Sequence, residues 1–162
     1  MRMRSLLLLT LMAPLLLSVQ ALAGTKANPD LKGWEQGGEY DKLFDLKEAD
    51  TLKGKVTKIM EVVPFSGMAP GIALQIEDKK DKGLETVHLG PKDFVDLGVI
   101  GLKEGDQVKV AGVWAELDGQ DVMLATKVKK DENIQLKVRR TKDGFPFWNM
   151  TPEERAREQG DD

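Results

Sequence analysis

From residue 50 onward apolar side chains recur at every second position, the period of strands with one buried and one solvated face. Leu52, Gly54 and Val56 alternate with Lys53, Lys55 and Thr57, after which the apolar phase slips to Ile59 and Val63. A one-residue slip inside a strand predicts a β-bulge, here in the long bent first strand that a small barrel needs to cross both halves of its sheet. Ile72, Leu74 and Ile76 mark a second strand, with a polar hairpin connection from Asp78 to Gly83. In a short third strand Val87 and Leu89 face one way, Thr86 and His88 face the other, and Gly90-Pro91 stops the run. Pro91 then suits a helix start, with Phe94, Val95 and Leu97 as the apolar side of one or two turns ended by Gly98 and Gly101.

Lys103 to Asp106 reads as a tight turn into a fourth strand whose inward positions are Val108, Val110, Gly112 and Trp114. Asp118-Gly119 has the chemistry of a two-residue hairpin, which leads into a fifth strand through Val122, Leu124 and Val128. Ile134, Leu136 and Val138 alternate in a sixth. The order strand, strand, strand, short helix, strand, strand is that of the OB-fold. The expected class is therefore all-β: a small five- to six-stranded OB-fold-like barrel over residues 50–148, with a short helix between strands 3 and 4. A β-sandwich or another small barrel is the alternative, but a sandwich normally needs more strands and does not account for the helix.

Residues 24–49 precede that domain. Gly24 to Gly38 is rich in Gly, Asn, Pro and Lys without a sustained period, which predicts a mobile arm whose large anchor is Trp34. Tyr40, Leu43 and Phe44 share an i, i+3, i+4 face, the pattern of a short helical turn plugging one barrel end. After the domain, Phe145-Pro146-Phe147-Trp148 can fold back on the barrel. The polar tail 149–162 has Thr151 as N-cap, Pro152 at the first helical position and Glu154 at the third, so a frayed helix or contact arm is expected to about Glu158.

Residues 1–23 have the form of a secretory signal peptide. Arg2 and Arg4 precede the apolar run Leu6 to Leu17, and Ala21-Leu22-Ala23 supplies an A-x-A cleavage site. An uncleaved anchor is the competing reading, but the run is short of the roughly 20 apolar residues of a spanning helix and Pro14 interrupts it. The expected location is the bacterial periplasm, with no transmembrane segment once the leader is removed. The chain has no cysteine, which excludes a lipidated N-terminal cysteine, disulfides, thiolate nucleophiles and covalent haem attachment. Without Arg2 and Arg4 the 24 basic residues fall to 22 against 27 acidic ones, and the net charge goes from −3 to −5. An exported, acidic chain poor in stacking aromatics argues against nucleic acid as a partner.

The chemical inventory is thin for catalysis: one histidine, one tyrosine, and Ser66 as the sole serine outside the leader, without a G-x-S-x-G setting. The expectation is a nonenzymatic protein that holds no cofactor, although a metal ion stays open. His88, on the outward side of the third strand, is the candidate ligand contact or metal ligand. The alternative is a structural histidine bonded to a backbone group near Gly90-Pro91. The loop 64–71 commonly shapes the cleft in OB-folds, which makes Phe65, Gly67 and Met68 candidate contacts beside Gly90 and Pro91, with Phe147 and Trp148 as a second aromatic contact. Met60, Met68, Met123 and Met150 are too dispersed for a thioether copper site, and Asp78-x-x-Asp81-x-Gly83 departs from a calcium loop.

Gly54-Lys55-Val56, Gly67-Met68-x-Pro70-Gly71, Val87-His88-Leu89-Gly90-Pro91, Gly105-Asp106-x-Val108-x-Val110-x-Gly112 and Asp143-Gly144-x-Pro146-x-Trp148 together resemble the OB-type C-terminal domain of the magnetosome proteins MamS and MamX and of related bacterial exported proteins. The resemblance spans about Leu52 to Trp148. It implies a periplasmic or membrane-facing accessory domain, connected in magnetosome proteins with iron handling and crystal growth. The C-x-x-C-H haem motif that MamX-type proteins carry is absent, so no redox role follows. Two functions remain in view: a noncatalytic module for a protein partner in the cell envelope, or a metal or small-ligand binder centred on His88.

Overall fold

The computed structural model describes residues 29–160, so the predicted leader and the first residues of the arm lie outside the described residues. The class is all-β. Six strands, β1 (Ala49–Val62), β2 (Gly71–Asp78), β3 (Leu84–Pro91), β4 (Gln107–Leu117), β5 (Gln120–Lys129) and β6 (Gln135–Lys137), form one sheet, and one α-helix, α1 (Pro152–Gly160), follows them. The strand order is β3-β2-β1-β4-β5-β6 with antiparallel neighbours. β3 also pairs in parallel with β5, through Thr86, Val87 and His88 opposite Val122, Met123 and Leu124. Pairing thus runs from β1 through β2, β3, β5 and β4 back to β1, around Val56, Leu74, Ile76, Val87, Leu89, Val110, Val113 and Val128, each at most 1% exposed.

The length of β1 makes this circuit possible. Its first half, Ala49 to Lys55, pairs with β4, and its second half, Gly54 to Val62, pairs with β2. The register shifts between Val56 and Lys58, where the sequence predicts a bulge, and the extra residue bends the strand from one partner to the other. Gly54 sits where the two pairings overlap. A Cβ there would lie 2.2 Å from the Glu77 carbonyl oxygen and 2.6 Å from Ile76 Cγ2, so the close approach of β2 requires a glycine. The β4–β5 turn also follows its sequence: Asp118 and Gly119 have φ of 51° and 75°, the left-handed pair of a type I′ hairpin.

Four local expectations are corrected. Pro91 does not start a helix but closes β3, and its carbonyl accepts from Phe94 N and Val95 N in a simple turn. The segment between β3 and β4 winds only into a 3-10 turn, Leu97–Ile100, because Asp96 caps Gly98 N and Gly101 leaves in the left-handed region at φ 56°. The β4–β5 register shifts between Ala111 and Gly112, with Thr126 of β5 as the extra residue, and beyond the shift Val113 rather than Trp114 is fully buried. Trp114 is half-buried against the core, and its indole N–H donates to Asp50 at 3.1 Å. The sixth strand is shorter than predicted: Ile134 is 40% exposed and lies outside it, and Val138 is buried just beyond its end.

The flanks pack on this sheet. Residues 29–38, expected to be mobile, are fixed by Trp34, 1% exposed, whose indole N–H donates to the Ala69 carbonyl at 2.8 Å. The turn predicted around Tyr40 is present as two short 3-10 turns, Asp41–Leu43 and Leu46–Glu48. At the other end α1 starts with the anticipated capping box. Glu154 N donates to Thr151 Oγ1 at 3.2 Å, and Thr151 N donates to Glu154 Oε2 at 2.8 Å.

Gly54→Ala is expected to lower unfolding free energy by about 1–3 kcal/mol, since strands on both sides leave the added methyl nowhere to go. Urea denaturation checks it, and an unchanged midpoint would show that β1 and β2 can separate without penalty.

Candidate functional site

Strand alternation in β3 sends Val87 and Leu89 into the sheet interior and His88 to the other side, as the sequence indicates. The other side is not solvent. His88 is 5% exposed, because the segment 34–40 and the C-terminal aromatics cover the outer face of β3. Its Nδ1 shares a 3.0 Å hydrogen bond with the Tyr40 hydroxyl, and the two rings stack 6.0 Å apart at 18°. The backbone partner near Gly90-Pro91 considered from the sequence is thus replaced by a side chain 48 residues away. Burial disfavours the imidazolium and lowers the His88 pKa to about 4, and burial likewise pushes the Tyr40 phenol well above its usual value. Both groups are neutral at pH 7. Such a pair can hold the covering segment in register through one hydrogen bond, which is worth about 1 kcal/mol net when both partners are buried.

Around this pair the rings interlock edge to face. Trp34 meets Tyr40 at 4.6 Å and Trp148 at 6.0 Å, Tyr40 meets Phe65 at 6.4 Å, and Trp148 meets Phe94 at 5.9 Å. Trp148 donates its indole N–H to the Trp34 carbonyl at 2.7 Å. The structure therefore gathers most of the sequence candidates in one place. Phe65 and His88 both contact Tyr40, Trp148 lies over Gly90, and Met68 lies against Gly33. Gly90, Pro91, Phe147 and Trp148 are buried in this arrangement, so Phe147 and Trp148 act as internal packing and offer no ring to a partner. Gly67 is exposed, and Phe65 and Met68 are half-buried. Together with Tyr40, Gly33 and Ser66 they line a cleft of about 240 Å³ between the first interstrand loop and the covering segment.

One residue of this region is not foreseen from the sequence. Arg139, 2% exposed, pairs with Asp41 at 2.6 Å, donates to the Gly144 carbonyl at 2.9 Å, and lies between the Phe44 ring at 5.1 Å and the Trp148 ring at 4.9 Å. The only sequence signal is an arginine directly after the apolar alternation ends at Val138. Nothing local tells that its carboxylate and one of its rings come from residues 41 and 44. Among the described residues no three His, Asp or Glu side chains gather where a cation would be held.

The buried imidazole carries a pH signature. Unfolded His88 binds a proton near the ordinary imidazole value of 6.5, whereas folded His88 does so only near 4. Between those values the unfolded chain holds more protons, so this contribution to stability is complete above about pH 6.5 and is lost as pH falls toward 4. The expected loss is about 2–3 kcal/mol across that window, and a His88→Gln variant should show a shallower slope in urea titrations at stepped pH. Parallel slopes for the two proteins would mean that His88 titrates alike in the folded and unfolded chain.

Comparison with known proteins adds one match. No curated protein and no solved structure matches the chain. The sequence profile described as the MamS/MamX magnetosome protein family matches residues 48–135, the stretch from the start of β1 to the start of β6. With more than half of its length matched, and in agreement with the motifs along its strands, the chain belongs to the MamS/MamX magnetosome protein family.

Proposed function

We propose that this member of the family is a noncatalytic binding module of OB type, exported to the periplasm, where it serves as an accessory that docks a protein partner of the cell envelope. The carrying observation is the cleft beside the first interstrand loop, where half-buried Phe65 and Met68 flank exposed Ser66 and Gly67. Its floor is held by the Trp34, Tyr40 and His88 contacts, so the apolar edges are presented on a fixed frame and little ordering entropy is lost on docking. Methionine adapts to irregular partner surfaces and phenylalanine supplies contact area.

The OB assignment is supported by the pairing circuit β1-β2-β3-β5-β4-β1 and by the use of the loop after the first strand as a cleft wall. Export is supported by Arg2, Arg4, the apolar run and Ala21-Leu22-Ala23. Among the described residues no helix is long and apolar enough to cross a membrane. The imidazole of His88 is shared with Tyr40 and costly to ionise, which favours its structural role over a metal-ligating one.

Two measurements test the reading. The intact mass of protein recovered from the periplasm should correspond to a chain beginning at Gly24, and retention of the full leader there would contradict export by cleavage. A partner isolated with the protein should be retained at least about fivefold less by Phe65→Ala or Met68→Asp, given that such anchors dominate small interfaces. Equal retention by both variants would remove the loop cleft as the docking site.

A further inference from the structure

The strand register brings together three lysines that are far apart in sequence. Lys53 of β1 stands directly opposite Lys109 of β4, and Lys109 stands directly opposite Lys129 of β5. Their neighbours Leu52, Val108, Val110 and Val128 are buried, so all three point out from the same face. Side chains opposed in this way lie about 5 Å apart at Cβ, and like charges so placed destabilise a sheet. None of the three ammonium groups has a carboxylate partner among the described residues. The nearby Lys130 differs: it is engaged with Asp106 at 3.0 Å and with the Gly101 carbonyl at 2.8 Å.

The row opens into a cleft of about 640 Å³ that Lys79 also lines, with Asp131 and Glu132 on the same wall. A second concavity of about 490 Å³ shares Gly54, Lys79 and Gln107 with the first and extends it toward Lys55, Glu77 and Lys82. Neither shares a lining residue with the cleft at the first interstrand loop. A chain with net charge −3 and 27 acidic residues thus keeps a concentrated positive surface, uncompensated along its central row.

We infer that the Lys53–Lys109–Lys129 row is a docking groove for an extended acidic segment of a partner protein, whose carboxylates occupy the positions that no carboxylate of this chain fills. Complementary charge singles out an anionic occupant. The cations are all lysines, mobile point charges on flexible stems, which suit a run of carboxylates better than the fixed bidentate geometry that arginine gives a single phosphate. The groove is lined by no aromatic ring, so it offers no stacking to nucleotide bases.

The test is fluorescence anisotropy with a fluorescein-labelled octaglutamate peptide, on the purified protein, a K53Q/K109Q/K129Q variant and a K42Q/K47Q/K142Q control of equal charge change. The inference expects binding by the wild type that weakens with salt, a loss of at least about tenfold in the row variant, and less than about twofold change in the control. Thermal melts of the row variant should show an unchanged or raised midpoint, because removing opposed like charges relieves the sheet. Absence of peptide binding, equal weakening in both variants, or preferential binding of phosphatidylglycerol vesicles or pyrophosphate would each overturn it. The loop-cleft variants at Phe65 and Met68 should leave peptide binding intact, so that failure of one surface is distinguishable from failure of the other.

Discussion

The rest of the molecule depends on the contact between Trp34 and Trp148, two indoles 114 residues apart that fasten the N-terminal and C-terminal flanks over β3. Both are buried, and a buried indole N–H must find an acceptor. Trp148 takes the carbonyl of Trp34 itself, while Trp34 takes the carbonyl of Ala69 in the loop before β2. The acceptors form a chain: tail to flank, flank to loop, loop to sheet. Removing either ring would therefore uncover the His88 face and release the loop that shapes the cleft. Closing so long a loop has an entropic cost that grows only slowly with its length, so a few large rings suffice to offset it.

Arg139 secures the same joint electrostatically. A guanidinium taken out of water is tolerable only with a close counter-charge and further hydrogen bonds, and Arg139 has Asp41 and the Gly144 carbonyl. Its flat faces rest on Phe44 and Trp148, so one side chain joins both flanks to the end of the sheet. Gly144 makes the geometry accessible. A Cβ at that position would fall 2.3 Å from the Phe44 ring, and the residue has φ of 75°. A buried pair of this kind contributes more to where the flanks sit than to how tightly they are held.

Much of this was readable from the chain. Period-two alternation located all six strands, the phase slip at Val56 located the bulge in β1, and Asp118-Gly119 located the β4–β5 hairpin. Each of these depends on residues adjacent in sequence. The misreadings arose where tertiary partners decide. The register shift at Thr126 of β5 leaves no trace in a sequence where Val113 and Trp114 opposite it are both apolar, and Asp96 and Gly101 shorten the expected helix to one turn. His88 was placed correctly on the outer side of β3, but whether that side is wet depends on Trp34 and Trp148. The lysine row is not legible in the sequence, since register between β1, β4 and β5 is not written in any one strand.

The family match spans residues 48–135, which includes β1 to β5, His88 and the lysine row but none of Trp34, Tyr40, Arg139 or Trp148. Within the matched stretch, however, the sheet already holds the space those rings need. A Cβ on Gly71 would lie 2.3 Å from the Trp34 ring, and one on Gly90 would lie 2.6 Å from the Trp148 ring. Any larger residue at either position would lift a flank off β3 and expose the imidazole beneath. In this chain the glycines of the sheet and the tryptophans outside it are therefore parts of one packing solution. The lysine row lies on strands that solution does not cover, so its register is set by the sheet alone.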